Sequence, residues 1–555
     1  MLRQSQSDSD VADAAAQDGG GGKRRQRARL ACVRCHKLKV KCDRLLPCNR
    51  CRTSGWAGQC NYTHVTDAPA AAASSSSVPE EPTSKTSEPI GTWYNQARPG
   101  HWKELLPKLG SLAGMESPIF RAAVEDMKQH GDCSTEFALP VNFPFNNTES
   151  RKYSSNRDVY NLIAQHRQNL QTYVLNYMAL YQPLYPIIDV AEFYREVTAF
   201  HDNYSGDGEW LAEYLLVLGL GSYSLSTDPT TAEEFFMAAA ACLSRTPVMY
   251  RPTLAALRAM CLLIVAKQIA NATCWTFESC WMLLGTVSRL ALSLGLHRCR
   301  HGQRSERSES IESLWTVVQH FEIQLSFITG LPPAISVDGM TEPSAELMRQ
   351  LDGYSAESIP WLTAISESYP TILEILRRVH SDTEKPSFAE VSVYNAKIRY
   401  FMRRWINPQQ QPTAVAVALD IFFRQVLLIV HRDYALDPNG PAIYPESYWA
   451  SLECSLAMLG HHRDLLSRDQ QPVEYVLLVR FFAQDFFSAA ITVCAHLLLR
   501  DAPLASGFAI PPRQTIIMTL SECVEFWAAQ SHKSVCLRTA HRLLDALLVS
   551  IRMGG

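Results

Sequence analysis

Long apolar runs are missing from this chain: nowhere among its 555 residues do 18 uncharged apolar residues follow one another, so no membrane-spanning helix is expected. The nearest approach, 486–499, is too short and contains His496. The first residues, MLRQSQSDSDVADAAAQ, lack the apolar core of a secretory signal. A reducing compartment is therefore expected, in which sixteen cysteines do not form a disulfide framework. The sequons at Asn146, Asn203 and Asn271 then match by pattern only, since glycosylation needs secretion.

Catalytic signatures are missing too. Neither GxSxG nor HExxH occurs. GLGSYS, Gly219 to Ser224, begins like a phosphate loop, but it follows an apolar helical run rather than a strand and has no P-loop lysine. His461 and His462 are adjacent and would point apart on a helix, so a surface turn is expected there rather than a metal pair. The expectation is a protein that is not an enzyme.

Charge is scarce, at 19% of residues, and is unevenly placed. Between Lys23 and Arg52 stand twelve Lys or Arg and one acid, Asp43, leaving +11 there and −14 elsewhere. Because charge acts within a Debye length of roughly 8 to 10 Å, a polyanionic partner is expected for that segment alone.

Cysteines are uneven in the same place. Six fall between residues 32 and 60, while Cys133, Cys242, Cys261, Cys274, Cys280, Cys299, Cys454, Cys494, Cys523 and Cys536 are scattered singly among apolar residues. The scattered ten read as buried free thiols.

Composition divides the chain into four. Residues 1–22 are small and polar and are expected to be disordered. Residues 23–64 carry KRRQRAR and the cysteine cluster, and 65–90, rich in Ala, Ser and Pro, read as a flexible linker. Residues 91–555 are expected to be all-helical. Val159, Leu162, Ile163, His166, Leu170, Tyr173, Val174 and Tyr177 mark one helix stopping before Pro183. A second opens at Thr231, with Glu234 completing a capping box. Further helices are expected near 253–269, 276–296, 310–329, 360–380, 414–434, 446–465, 473–499, 513–530 and 535–552. The fold class is thus mostly α, with a small metal domain, a linker and a large helical domain. No internal repeat appears, and no heptad follows the cluster within the linker, which leaves a monomer and a homodimer both open.

The six clustered cysteines are spaced C-x2-C-x6-C-x5-C-x2-C-x8-C. Each C-x2-C pair can place two thiolates on one metal about 2.3 Å away. Six ligands overfill one tetrahedron but suit two zinc ions if two thiolates are shared. The similar halves suggest short helices entered at Cys35 and Cys51, with Pro47 in the connecting turn. A rubredoxin-like iron or an iron-sulfur cluster also uses thiolates, which gives a metal-thiolate redox or electron-transfer protein as the alternative. The surrounding cations argue against it, since electron transfer does not require them and phosphate neutralisation does.

ACVRCHKLKVKCDRLLPCNRCRTSGWAGQC resembles the fungal zinc binuclear cluster, or Zn2Cys6, transcription factors over all six cysteines. The resemblance implies two zinc ions, one on Cys32, Cys35, Cys42 and Cys48 and the other on Cys32, Cys48, Cys51 and Cys60, with Cys32 and Cys48 bridging. It implies that double-stranded DNA is read in the major groove at a CGG-type triplet, with Lys39 on the base edges and Lys41 mainly on phosphate. Lys37, His36, Arg34, Arg29 and Arg27 join the expected DNA-facing set. His36 stands where the family usually has arginine, and Leu38 where a basic residue often joins the base contacts. Lys23, Arg24, Arg25 and Arg27 fit a nuclear import signal as well as a phosphate-binding arm.

The same family's middle region is resembled by YQPLYPIID (181–189), by SCWMLLGTVSRLALSLGLHR (279–298) and by SLWTVVQHFEIQLSFITGLPPAI (313–335), together covering about 170–340. Glu322-Ile323 stands where Asp-Arg is common. Trp281, Leu284, Val287 and Leu294 read as core, and a small-molecule effector between helices has no residue to nominate it. The resemblance implies a nuclear, sequence-specific regulator of RNA polymerase II genes that works with the transcription machinery and without a membrane. An activator of one pathway is expected, with a secondary-metabolite gene cluster as an extension.

Overall fold

The computed structural model describes residues 31–61 and 98–554, apart from 99, 113–117, 131–143, 145–148, 204–205, 226–229, 272–273, 299–305, 336–360, 382–384, 407–412, 467–472, 500–510 and 532–534. The chain divides into two compact units, Met1–Ser87 and Glu88–Gly555. The expected disordered start, the KRRQRAR arm and the linker over 65–90 lie outside the described residues.

The first unit contains two five-residue helices, α1 (Val33–Lys37) and α2 (Asn49–Thr53). Neither could persist alone, since an isolated helix needs roughly 12 to 15 residues to be even marginal. Among its described residues the buried ones are Cys32, Cys35, Cys48, Cys51 and Cys60, so thiols stand there in place of an aliphatic core.

The second unit is helical, with no strand among the described residues. It opens with α3 (Leu105–Leu112), α4 (Pro118–His130), α5 (Asn156–Gln165), α6 (Leu170–Leu180), α7 (Val190–Asn203), α8 (Gly208–Tyr223) and α9 (Thr230–Arg245). Next come α10 (Leu254–Asn271), α11 (Cys274–Ser293), α12 (Glu306–Thr329), α13 (Trp361–Ser366), α14 (Tyr369–Val379) and α15 (Phe388–Trp405). The last are α16 (Ala414–Ala435), α17 (Gly440–Ile443), α18 (Pro445–Leu466), α19 (Val473–Phe481), α20 (Ala483–Leu498), α21 (Arg513–Gln530) and α22 (Val535–Gly554). Helix α8 packs between α6, α9 and α10, while α16 packs on α15 and α18. By length and composition alone α16 could cross a bilayer, but 78% of its apolar window is buried inside the unit, as befits a core helix.

Several expected helices are divided. The period through Val159 and Tyr177 continues across a turn at 166–169, closed by His166 N–H to Ile163 O and Asn169 N–H to His166 O. The stretch 360–380 breaks before Tyr369, where Pro370 occupies the first turn and has no N–H to continue a preceding helix. No box forms at Thr231, because that residue already lies inside α9 and Glu234 pairs instead with Lys152. Capping boxes are found at Ser155 with Asp158 and at Ser387 with Glu390.

The Gly-x-Gly of GLGSYS is a helix crossing. A Cβ on Gly221 would lie 1.9 Å from the Tyr173 carbonyl oxygen, and one on Gly219 would lie 2.6 Å from the Phe236 ring. These glycines therefore let α6 and α9 close on α8. His461 and His462 also lie within a helix, α18, rather than on a surface turn. His461 Nε2 is 2.7 Å from Asp420 Oδ2, and the buried His462 ring stacks on Trp527.

Leu284 and Val287 are buried, with Trp281 and Leu294 partly so. Glu322 accepts hydrogen bonds from Ser288 Oγ at 2.6 Å and from the Ala334 N–H at 2.8 Å, tying α12 to α11 and to the following loop. Of the ten scattered cysteines, Cys242, Cys261, Cys280, Cys454, Cys494 and Cys523 are buried free thiols, while the side chains of the other four lie outside the described residues.

Candidate metal centre and nucleic-acid interface

Cys32 and Cys48 are the N-caps of α1 and α2. Each sulfur accepts the N–H three residues on, Cys35 N–H to Cys32 Sγ and Cys51 N–H to Cys48 Sγ, both at 3.4 Å. A helix N-terminus favours negative charge, so the spacing C-x2-C puts a thiolate where backbone donors would otherwise be orphaned. The thiol of Cys48 is held below its ordinary value, first by the Cys51 N–H, against desolvation, and further by neighbouring thiols. That of Cys32 is pushed up by burial but ends lower, through the Cys35 N–H and the thiols of Cys35, Cys48 and Cys51.

Sulfur spacing tests the fit to a metal. Cys32 Sγ lies 3.8 Å from Cys48 Sγ and 3.8 Å from Cys51 Sγ, and Cys35 Sγ lies 3.7 Å from Cys48 Sγ. Four sulfurs each about 2.3 Å from a central zinc stand about 3.8 Å apart along the tetrahedral edges. The six thiols form two overlapping groups, Cys32, Cys35, Cys42 and Cys48, and Cys32, Cys48, Cys51 and Cys60. Within each group all the sulfurs lie within 4.8 Å of one another, and Cys32 and Cys48 belong to both. No other such group occurs among the described residues.

Both helices end in the same turn. After α1 the Lys39 N–H bonds His36 O at 3.1 Å and the Val40 N–H bonds Cys35 O at 3.0 Å. After α2 the Gly55 N–H bonds Arg52 O at 3.4 Å and the Trp56 N–H bonds Cys51 O at 2.8 Å. These are Schellman caps, whose turning residue needs a left-handed backbone. Gly55 supplies it at φ +76°, while in the first half Lys39 adopts φ +52° despite its side chain. A non-glycine residue there stores strain of about 1 to 3 kcal/mol and points to function.

His36, Lys37, Lys39 and Lys41 are all exposed. Lys37, Lys39 and Lys41 make no side-chain ion pair among the described residues, so their charge faces solvent beside the thiols. Arg44, at φ +65°, is the second basic residue held left-handed.

Arg34 is placed differently from these lysines. Its Nη1 donates to Ser54 Oγ, and its guanidinium carbon stands 4.9 Å from the centre of the Trp56 ring. Asp43, the lone acid of the basic segment, accepts the Leu45 N–H at 3.2 Å and the Asn49 N–H at 2.9 Å, fixing the loop that leads into α2. Spacing did not reveal either role. The expected contacts Arg27 and Arg29 and the import residues Lys23, Arg24 and Arg25 lie outside the described residues.

Residues 30–68 match the fungal Zn(2)-Cys(6) binuclear cluster domain, and 170–344 match the fungal specific transcription factor domain. Transcription factor lepE of Aspergillus flavus is 32% identical over 133 residues, 24% of this chain and 14% of that protein. The pyrrolocin cluster transcription factor fsdR of a fungal species is 37% identical over 60 residues, 11% of this chain and 8% of that protein. The aligned segments thus span only a small part of either relative. The chain thus carries, in order, a match to the fungal zinc-cluster domain and a match to the fungal specific transcription factor domain, and over part of its length it is similar to proteins named as fungal transcription factors.

Proposed function

We propose that this chain is a sequence-specific DNA-binding transcription factor whose six-cysteine cluster holds two zinc ions. Cys32, Cys35, Cys42 and Cys48 bind one ion and Cys32, Cys48, Cys51 and Cys60 the other, with Cys32 and Cys48 bridging. The observation that carries this reading is the pair of overlapping sulfur groups sharing those two cysteines. Zinc supplies the folding free energy that so small a core lacks.

With the cluster formed, the cap at Lys39 becomes a rigid platform. Lysine ammonium donates to guanine O6 and N7 in the major groove, so Lys39 reads the triplet. Lys41, Lys37 and His36 flank it and act mainly on phosphate, as do Arg27 and Arg29 from the preceding arm. Lys23, Arg24, Arg25 and Arg27 direct the chain to the nucleus. The helical unit acts as the regulatory part, and control of one pathway's genes as an activator is the role supported by relatives named as transcription factors, one of them for a cluster.

Zinc analysis of the full chain, followed by titration with a CGG-containing duplex, tests the reading. Two zinc ions per chain and a loss of specific binding on Cys32→Ala are expected. An iron chromophore, or unchanged DNA binding in that variant, would sink it.

A further inference from the structure

We infer that Arg34 does not contact DNA phosphate but is a positioning residue that clamps the two halves of the cluster together and so fixes where Lys39 points. This rests on the zinc-cluster reading of the segment. Beyond the thiols, contacts among the described residues that tie the halves include the Val33 N–H to Asn61 O hydrogen bond at 2.8 Å, the Asn49 N–H to Asp43 at 2.9 Å, and those of Arg34. From α1, its guanidinium donates to Ser54, reaches the Cys51 thiol and lies over Trp56. Ser54 and Trp56 flank Gly55, the turning residue of the cap that ends α2. Ser54 Oγ is itself fixed, donating to Arg50 O at 2.7 Å.

The rough two-fold of the cluster sharpens the assignment. Cys32 corresponds to Cys48, Arg34 to Arg50, and the turn Leu38-Lys39-Val40 to Ser54-Gly55-Trp56. In the first turn Leu38 offers no hydroxyl and Val40 no ring, so an arginine could not grip it the same way. One turn is therefore clamped and the other left open, and the open one carries Lys39. A planar guanidinium can bond and stack at once, which an ammonium cannot do.

The test compares full-length, zinc-loaded chain with Arg34→Ala, Arg34→Lys, Trp56→Ala and the Arg34→Ala/Trp56→Ala double variant. Affinity for a CGG duplex and for a scrambled duplex is measured across a salt series. A clamp predicts that each single variant lowers the preference for CGG about tenfold, that lysine does not rescue, and that the double variant is no worse than either single. The slope of log affinity against log salt stays unchanged, whereas loss of a phosphate contact would reduce it by about one. A reduced slope in Arg34→Ala with native behaviour in Trp56→Ala overturns the proposal, and so do additive effects.

Zinc release to a chelator without DNA is the second readout. Both single variants should release zinc faster by similar factors, and Trp56→Phe, which keeps a ring face, should restore retention. Native release rates in both overturn the clamp. If the unmodified chain fails to discriminate the duplexes, the DNA reading fails while the release comparison still decides the clamp.

Discussion

Lys39 and Gly55 hold the same place in the two halves of the cluster, and the difference between them separates stability from recognition. Glycine is permissive where φ is positive, so Lys39→Gly should relieve the strain and stabilise the metal-loaded domain by about 1 kcal/mol. The same change should abolish specific DNA binding, as should Lys39→Ala, with zinc content intact in both. Chelator competition and site selection from random DNA measure the two effects separately, and selection of the native site by either variant would remove Lys39 from the reading role. Sharing of thiols gives a second prediction. Cys48→Ala should cost both zinc ions because its sulfur belongs to both groups, while Cys60→Ala should leave the ion held by Cys32, Cys35, Cys42 and Cys48. Elemental analysis counts them, and one zinc retained in Cys48→Ala would mean that this sulfur does not bridge.

At the scale of elements, the crossing of α6 and α8 depends on a missing side chain. Gly221→Ala places a Cβ 1.9 Å from backbone, so the helices must separate; a loss of more than about 3 kcal/mol is expected. Gly460→Ala is the control, since nothing lies within 4 Å of its added Cβ and helix propensity favours alanine by about 1 kcal/mol. Thermal unfolding of the two variants should move in opposite directions, and equal melting would refute the crossing argument.

Most helices were legible because an apolar stripe at helical spacing has one favourable reading. Their divisions were less so: the period survives the turn at His166, and Gly219 and Gly221 resembled a phosphate loop until a neighbouring helix gave them another use. The grouping of the six clustered cysteines was legible from their spacing. The clamp was not, because Arg34 and Trp56 sit on different elements and follow no periodic pattern. Asp43 was visible only as the exception in a basic segment, with no sign that it fixes the entry to α2.

For the whole molecule, buried carboxyls couple stability to pH. Glu213 is 1% exposed, and neither carboxyl oxygen has a hydrogen-bond partner among the described residues. Burial pushes it up to about 8, offset in part by Arg258 and reinforced by Glu196 and Glu192. Asp485 is likewise raised by burial, to about 7. Over the range from the ordinary carboxyl value to about 8 the unfolded chain has released a proton that folded Glu213 retains, so stability falls as pH rises. Glu213→Gln should flatten that fall and melt higher at pH 8 than the native chain, with little change at pH 5. Parallel curves for the two proteins would show that Glu213 does not titrate in this way.

The charge contrast between the segment Lys23 to Arg52, at +11, and the remainder, at −14, confines the expected DNA contact to one end of the chain. Zinc-dependent sequence reading is tested by the affinity of the full chain for a CGG duplex relative to a scrambled duplex at one stated salt concentration, before and after zinc is stripped. A preference of about 10³ or more that disappears with the metal is predicted. Equal affinity for both duplexes, or a preference that survives zinc removal, would rule out a zinc-organised reader of DNA sequence.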